Sequence, residues 1–296
     1  MSESYDRDDG MPEGVGRLRR PESTYTDDLV YFGGARASDT WAVFAAATEG
    51  DTTNLRAMLE KDRNLAVCNL DYDQPLHFAV RANQPEAVGL LLKYGANVLA
   101  ESRLNDKNKC LQMATERDFQ EIYELLDADR REKFNYSPEC AKLSDAIRHR
   151  DRENVLSILA SDTTLAHTSD ETGNHPIHWA VMTGQMAVID ILLEHGADIN
   201  LSRFDGARPL DLVDGDYWFR HQKTETQCKA PEATAVVAGF LLGRGATYTL
   251  IDAARYGDLG RGKELLAGDP TLVKVPQKYV SWNVGSPLGF AATQGR

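Results

Sequence analysis

His175 and His178 stand three positions apart, a spacing that can bring two imidazoles to one metal ion. Pro176 lies between them, and the surrounding residues read as a turn followed by a helix start. No carboxylate or cysteine completes a ligand set at a suitable spacing, so no metal is expected. Cys68, Cys110, Cys140 and Cys228 are scattered, without a Cys-x-x-Cys pair. They read as reduced thiols of an intracellular protein. Other chemistry is equally hard to place. There is no Gly-x-Ser-x-Gly motif, no cysteine with an evident histidine partner, and no carboxylate pair that can be set across a cleft. The glycines form no phosphate-cradling loop. The expectation is a chain that is not an enzyme and takes no cofactor.

The elements that hold these histidines are legible from Glu171 to Asn200. A Gly-bearing turn leads to Pro176, which is suited to a first helical turn. The apolar run 177–181 ends at Thr183-Gly184, and a second run, 187–193, ends at Gly196, a residue suited to a left-handed cap. This turn–helix–turn–helix stretch resembles an ankyrin repeat. The pattern is carried by Gly173, Pro176, Ile177, His178, Ala180, Gly184, Leu192, Leu193, Gly196, Ala197, Asp198 and Asn200, and His175 departs from it where the family has Thr. The resemblance implies that His77 and His178 fix turns by hydrogen bonding.

One such unit buries too little to stand alone, so copies are expected. The equivalent first-helix positions are Val43, Leu76, Leu111, Leu143, Ile177, Leu210, Leu250 and Leu288. Three-repeat steps are nearly constant: 100 from Val43 to Leu143, 101 from Leu76 to Ile177 and 99 from Leu111 to Leu210. Asp62, Asp162 and Asp269 each begin an Asp-x-x-Leu after the second helix of repeats one, four and seven. Duplication of a three-repeat block accounts for both patterns. In Asp-x-x-Leu, the Asp is expected to cap the turn and the Leu to pack under the next repeat. The sixth repeat is stretched. Leu210 to Leu241 is 31 positions where Ile177 to Leu192 is 15, which places an insertion at about 214–231.

The expected fold is an all-α ankyrin-repeat solenoid of stacked helix-turn-helix units with short hairpin fingers. Residues 1–38 read as a disordered leader or a docking peptide, with Leu29–Phe32 able to fold back on the first repeat. Residues 39–296 read as about seven repeats and an eighth that has a first helix and no second, as in a fragment or a truncated gene model. The chain is acidic, with 33 basic against 45 acidic residues and a net charge of −12. Nucleic acid is therefore not the expected partner. No apolar run approaches a bilayer span and the first residues do not form a secretory signal, so a cytoplasmic protein is expected.

The resemblance places binding on finger tips and on the open side of the first helices. The candidate positions are Tyr72, Asp73, Arg81, Glu171, Asn174, Met182, Phe204, Asp205 and Trp282. Tyr217, Trp218 and Phe219 join them from the insertion, where aromatic and basic residues mix. Phe204 and Trp282 read either as interface anchors or as packing for the adjacent finger. The insertion reads either as a partner contact or as a lid. The expected function is a monomeric, non-catalytic protein–protein interaction scaffold. Two alternatives are a targeting or autoinhibitory arm of a larger enzyme and a secreted effector.

Overall fold

The computed structural model describes residues 36–70, 73–100, 109–215, 234–274 and 287–293. The chain divides into two compact units, residues 1–133 and 134–296. The first contains three helix pairs: α1 (Ala37–Glu49) with α2 (Thr52–Lys61), α3 (Pro75–Arg81) with α4 (Pro85–Lys93), and α5 (Lys109–Glu116) with α6 (Gln120–Phe134). The second contains α7 (Cys140–Arg148) with α8 (Arg152–Ser161), and α9 (Pro176–Met182) with α10 (Met186–Glu194). It continues with a 3-10 turn, Pro209–Leu212, ahead of α11 (Thr234–Gly243), then α12 (Leu250–Tyr256) with α13 (Leu259–Gly268), and α14 (Pro287–Thr293). The first helix of the stretched sixth repeat is thus a short 3-10 turn. Among the described residues there is no strand, only isolated bridges at Leu70–Asp73 and Tyr136–Ser169. The expected hairpin fingers are turns.

Most of these helices are too short to persist alone, because nucleation outweighs the bonds gained. Packing along the stack supplies what propensity does not. First helices pack on first helices (α1 on α3, α3 on α5, α7 on α9) and second on second (α2 on α4, α8 on α10). In the second unit Leu143, Ile147, Val155, Leu159, Ile177, Val181, Leu192 and Leu210 belong to one continuous buried cluster.

The turn inside a helix pair needs one left-handed residue. It is Gly50 (φ 73°), Asn83 (55°), Asp118 (56°), Arg150 (60°), Gly184 (66°) and Gly257 (71°) in successive pairs. Asn83 fills the place of the expected glycine, as its tolerance of positive φ allows. Arg150 is the costlier choice, and its Nη2 donates to Thr183 O at 2.6 Å. Gly184→Val puts a β-branched residue into this conformation. It is expected to cost more than about 1 kcal/mol in thermal unfolding, and an unchanged melt would contradict the placement of the turn.

Apart from α6, which runs into Asn135 at φ 52°, second helices end in two ways. After α4, α10 and α11 the chain turns at Gly95, Gly196 and Gly245, all at positive φ. After α2, α8 and α13 it leaves the helix at Asp62, Asp162 and Asp269, at φ −146°, −152° and −147°. Each of these carboxylates accepts the backbone N–H two residues on, from Asn64, Thr164 and Thr271, at 2.9 Å. The aspartate therefore caps the 3-10 turn that follows, and Leu65 and Leu165 of these turns are buried. The same helices also start alike: Asp51, Asp151 and Asp258 accept from the N–H of Asn54, Asn154 and Arg261.

Candidate protein-binding surface

Two fingers of the second unit are held by side chains. In the first, Asp170 N–H donates to Asn174 O and Gly173 N–H to Asp170 O, both at 2.9 Å. Asp170 Oδ1 accepts Thr172 N–H at 2.9 Å, Thr172 Oγ1 at 2.6 Å and Asn174 N–H at 3.2 Å. Asp170 Oδ2 takes the indole N–H of Trp179 at 2.6 Å. One buried carboxylate thus ties the finger to helix α9. The second finger repeats the backbone pattern, with Arg203 N–H to Ala207 O at 3.0 Å and Gly206 N–H to Arg203 O at 2.9 Å. Its first residue is a cation instead of an anion. Arg203 grips Asp205 through Nε at 3.0 Å and Nη2 at 2.8 Å, and donates through Nη1 to Asn174 Oδ1 at 2.7 Å. Arg203 therefore links the two fingers from the interior, where its side chain is 2% exposed.

This arrangement sorts the expected contact residues. Glu171 is exposed, and Thr172 and Asp205 are half-buried at the tips. Asn174, Met182 and Phe204 are buried instead, at 1%, 0% and 8% exposure. Asn174 is used in the finger network. Met182 lies on α9, whose sequence PIHWAVM is apolar almost all round and is buried along its whole length, as such a helix must be. Phe204 lies under the guanidinium of its neighbour Arg203, 5.4 Å from the ring centre, so packing accounts for it. In the first unit Asp73 and Arg81 pair at 3.4 Å, and Arg81 lies over the Phe78 ring at 4.8 Å. Tyr72, Tyr217, Trp218, Phe219 and Trp282 lie outside the described residues.

The histidines are structural. His178 Nδ1 accepts the His175 N–H at 3.0 Å, so the ring proton sits on Nε2, which faces Leu201 O at 3.0 Å. His77 Nδ1 likewise accepts the Gln74 N–H at 2.9 Å. Burial holds the imidazoles of His77 and His175 below the usual histidine range, against opposing pulls from Asp73 and Asp170 respectively. Unfolding restores the ordinary value near 6.5, so below that pH the unfolded chain binds more protons than the folded one. This contribution to stability is present above pH 6.5 and is lost as the pH falls below it. Melting temperatures taken at pH 7.5 and pH 5.5 are expected to drop on acidification, and the drop should be smaller in His175→Gln. An equal drop in that variant would contradict a neutral, buried His175.

The ankyrin-repeat family matches residues 71–103 and 172–203, the stretches that contain α3–α4 and, from Thr172 onward, α9–α10. The chain carries ankyrin repeats. Dog inversin is 26% identical over 176 residues, covering 57% of this chain and 16% of inversin. The human transient receptor potential cation channel subfamily A member 1 is 30% identical over 171 residues, 56% of this chain and 15% of the channel. The chicken nuclear factor NF-kappa-B p105 subunit is 29% identical over 149 residues, 49% and 15%. This chain thus spans about a sixth of the length of the inversin it resembles. The ankyrin repeat is a protein–protein interaction module, and that much carries over to the matched repeats.

In repeat terms, the helix-start histidine has substitutes. Asp211 stands where repeat five has His178, and its Oδ2 accepts the Arg208 N–H at 3.0 Å. Asp252 does the same for Thr249 N–H at 2.7 Å. These aspartates form a cluster with two arginines. Arg208 reaches Asp211 at 2.9 Å, Asp252 at 3.0 Å and Thr247 O at 2.9 Å, and Arg255 reaches Asp211 at 3.2 Å. Asp211 and Asp252 side chains are 1% and 0% exposed, and the four charges cancel. Burial opposes the Arg208 charge, yet the hydrogen bonds to Asp211 and the charges of both aspartates outweigh it and raise its pKa above the ordinary guanidinium value. The pattern Thr249-x-x-Asp252 is a helix-start signal in the sequence and would have found Asp252.

An open groove of about 410 Å³ lies along α7 and α8, lined by Lys142, Asp145, His149, Asp151, Asn154 and Ile158. No set of three ligating side chains fit for a metal ion occurs among the described residues. Burial pushes the thiols of Cys68 and Cys140 up to about 12, so neither is a thiolate nucleophile near neutral pH. Among the described residues no helix is long and apolar enough to cross a membrane.

Proposed function

We propose that the second unit is a non-catalytic recognition module that engages a partner protein through the finger tips of repeats five and six, with Glu171, Thr172 and Asp205 as contacts. The observation that carries this reading is the Arg203–Asn174 link. Buried polar groups are costly unless fully bonded, and here several are committed to fixing two surface turns in one conformation. A finger held in this way loses little freedom on binding, which favours affinity from few contacts. Asp73 and Arg81 of repeat two, and Tyr217, Trp218, Phe219 and Trp282, belong to the proposal on their positions in the sequence. We place the protein in the cytoplasm, acting as a monomer without nucleic acid as ligand. Nothing specific in the described residues favours the arm of a larger enzyme.

The test compares proteins retained from native lysate by wild type, by Glu171→Arg and by Tyr217→Ala/Trp218→Ala, with melting curves recorded alongside. A protein held by wild type and lost by Glu171→Arg, at unchanged melting temperature, supports the finger site. Equal retention by all three places binding elsewhere.

A further inference from the structure

The hydrogen bonds of the Asp170 finger have a direction: its donors turn inward. The N–H of Thr172, the hydroxyl of Thr172 and the N–H of Asn174 all end on Asp170 Oδ1. The Asn174 side-chain amide donates to Thr172 Oγ1 at 2.9 Å, and the Gly173 N–H is taken by Asp170 O. The Glu171 carboxylate stands apart from this network. It is exposed, and among the described residues it forms no hydrogen bond and no ion pair. What the finger turns outward is an acceptor.

Charge divides in the same way. Arg203 is matched by Asp205. Arg148, whose guanidinium lies 5.0 Å from the centre of the Trp179 ring, is matched by Asp145. Asp170 and Glu171 have no such partner among the described residues. Asp170 is 3% exposed and is held by the neutral donors Thr172, Asn174 and Trp179. The finger therefore carries two adjacent negative charges that no contacting cation cancels. Their field reaches α7, where the Cys140 thiol, raised mainly by burial, is raised further by Asp170 and Glu171. A cation brought to Glu171 would meet both charges, and the buried one is little screened by solvent.

We infer that the partner element received at this finger is basic, a protein segment that presents an arginine or lysine side chain to Glu171. The inference rests on the finger-tip reading above and adds the partner's chemistry to it. An acidic segment would face two unbalanced charges of its own sign. An apolar one would cover the Glu171 carboxylate without offering it a donor. A cationic side chain finds its acceptor on a turn already fixed in place, and complementarity of this kind acts on partner choice and encounter rate more than on affinity.

The probe is a Gly-Ser peptide bearing arginines, compared with the same peptide bearing citrulline, a neutral isostere, at those places. Each is titrated into the isotope-labelled full chain, and the amide NMR signals of residues 171–174 are followed. Salt is set at about 0.15 M, so that exposed charges beyond about 8 Å are screened. Saturable shifts are expected from the arginine peptide and not from the citrulline peptide. Glu171→Gln should weaken this binding by about threefold or more. Glu194→Gln, which alters an exposed carboxylate on α10, should leave it unchanged. Since the Glu171 carboxylate holds nothing in place, its variant should fold normally. No shifts at residues 171–174, equal shifts with citrulline, or equal weakening by Glu194→Gln would overturn the basic partner. The finger-tip reading fails on a different result. A lysate protein lost by Glu171→Arg, alongside a silent arginine peptide, keeps the site and removes only the chemistry inferred for its partner.

Discussion

Arg208→Met is expected to lower the unfolding free energy by about 3–5 kcal/mol, because it leaves two buried carboxylates facing one arginine. Wild type balances Arg208 and Arg255 against Asp211 and Asp252, with both carboxylates closed off from water. Methionine matches much of the arginine's length and removes the charge, so lost packing contributes little. The companion variant is Arg208→Met/Asp252→Asn. It discards the stranded carboxylate, leaves Arg255 paired with Asp211, and keeps a side-chain oxygen that can accept the Thr249 N–H. It should regain more than half of the loss in denaturant unfolding. If the double variant is no more stable than the single one, the cost lies in the hydrogen bonds to Thr247 and the caps and not in the unpaired charge.

Asp170→Ala should cost about 3 kcal/mol. The carboxylate accepts from Thr172, Asn174 and the Trp179 indole, and alanine strands the buried Asn174 N–H and indole N–H together. Each buried donor left without a partner costs about 1–3 kcal/mol. Asp170→Asn keeps one acceptor oxygen and should lose less. A variant with an isosteric amide that loses as much as alanine would show that the charge of Asp170, and not its geometry, holds the finger. The same pair informs the functional reading. Loosening this finger should weaken partner retention even where the protein remains folded at the temperature of the assay.

The helix pairs were legible in the sequence because glycine, proline and apolar spacing recur at a fixed interval. Asn83 could be read as a left-handed turn residue, since it does its work within its own turn, and the resemblance marked His77 and His178 as turn-fixing groups. The candidate site was less legible. Whether Phe204 or Met182 faces solvent depends on what stands next to it across the stack, and one-sequence spacing carries no such information. Asp170 and Arg203 occupy the same place in successive fingers with opposite charges, so no pattern of residue type marks them. The Asp-x-x-Leu signature was recognised as a cap, but its aspartate proves to start the next turn as well as to end the helix.

The most direct test of the finger-tip reading is site-specific photo-crosslinking in native lysate. A photoreactive residue is placed at Glu171 in one protein and at Leu156, exposed on α8, in another. A discrete adduct with one protein from position 171, absent from position 156, is the predicted result. An adduct formed from position 156 and not from position 171 would contradict recognition by the finger tips.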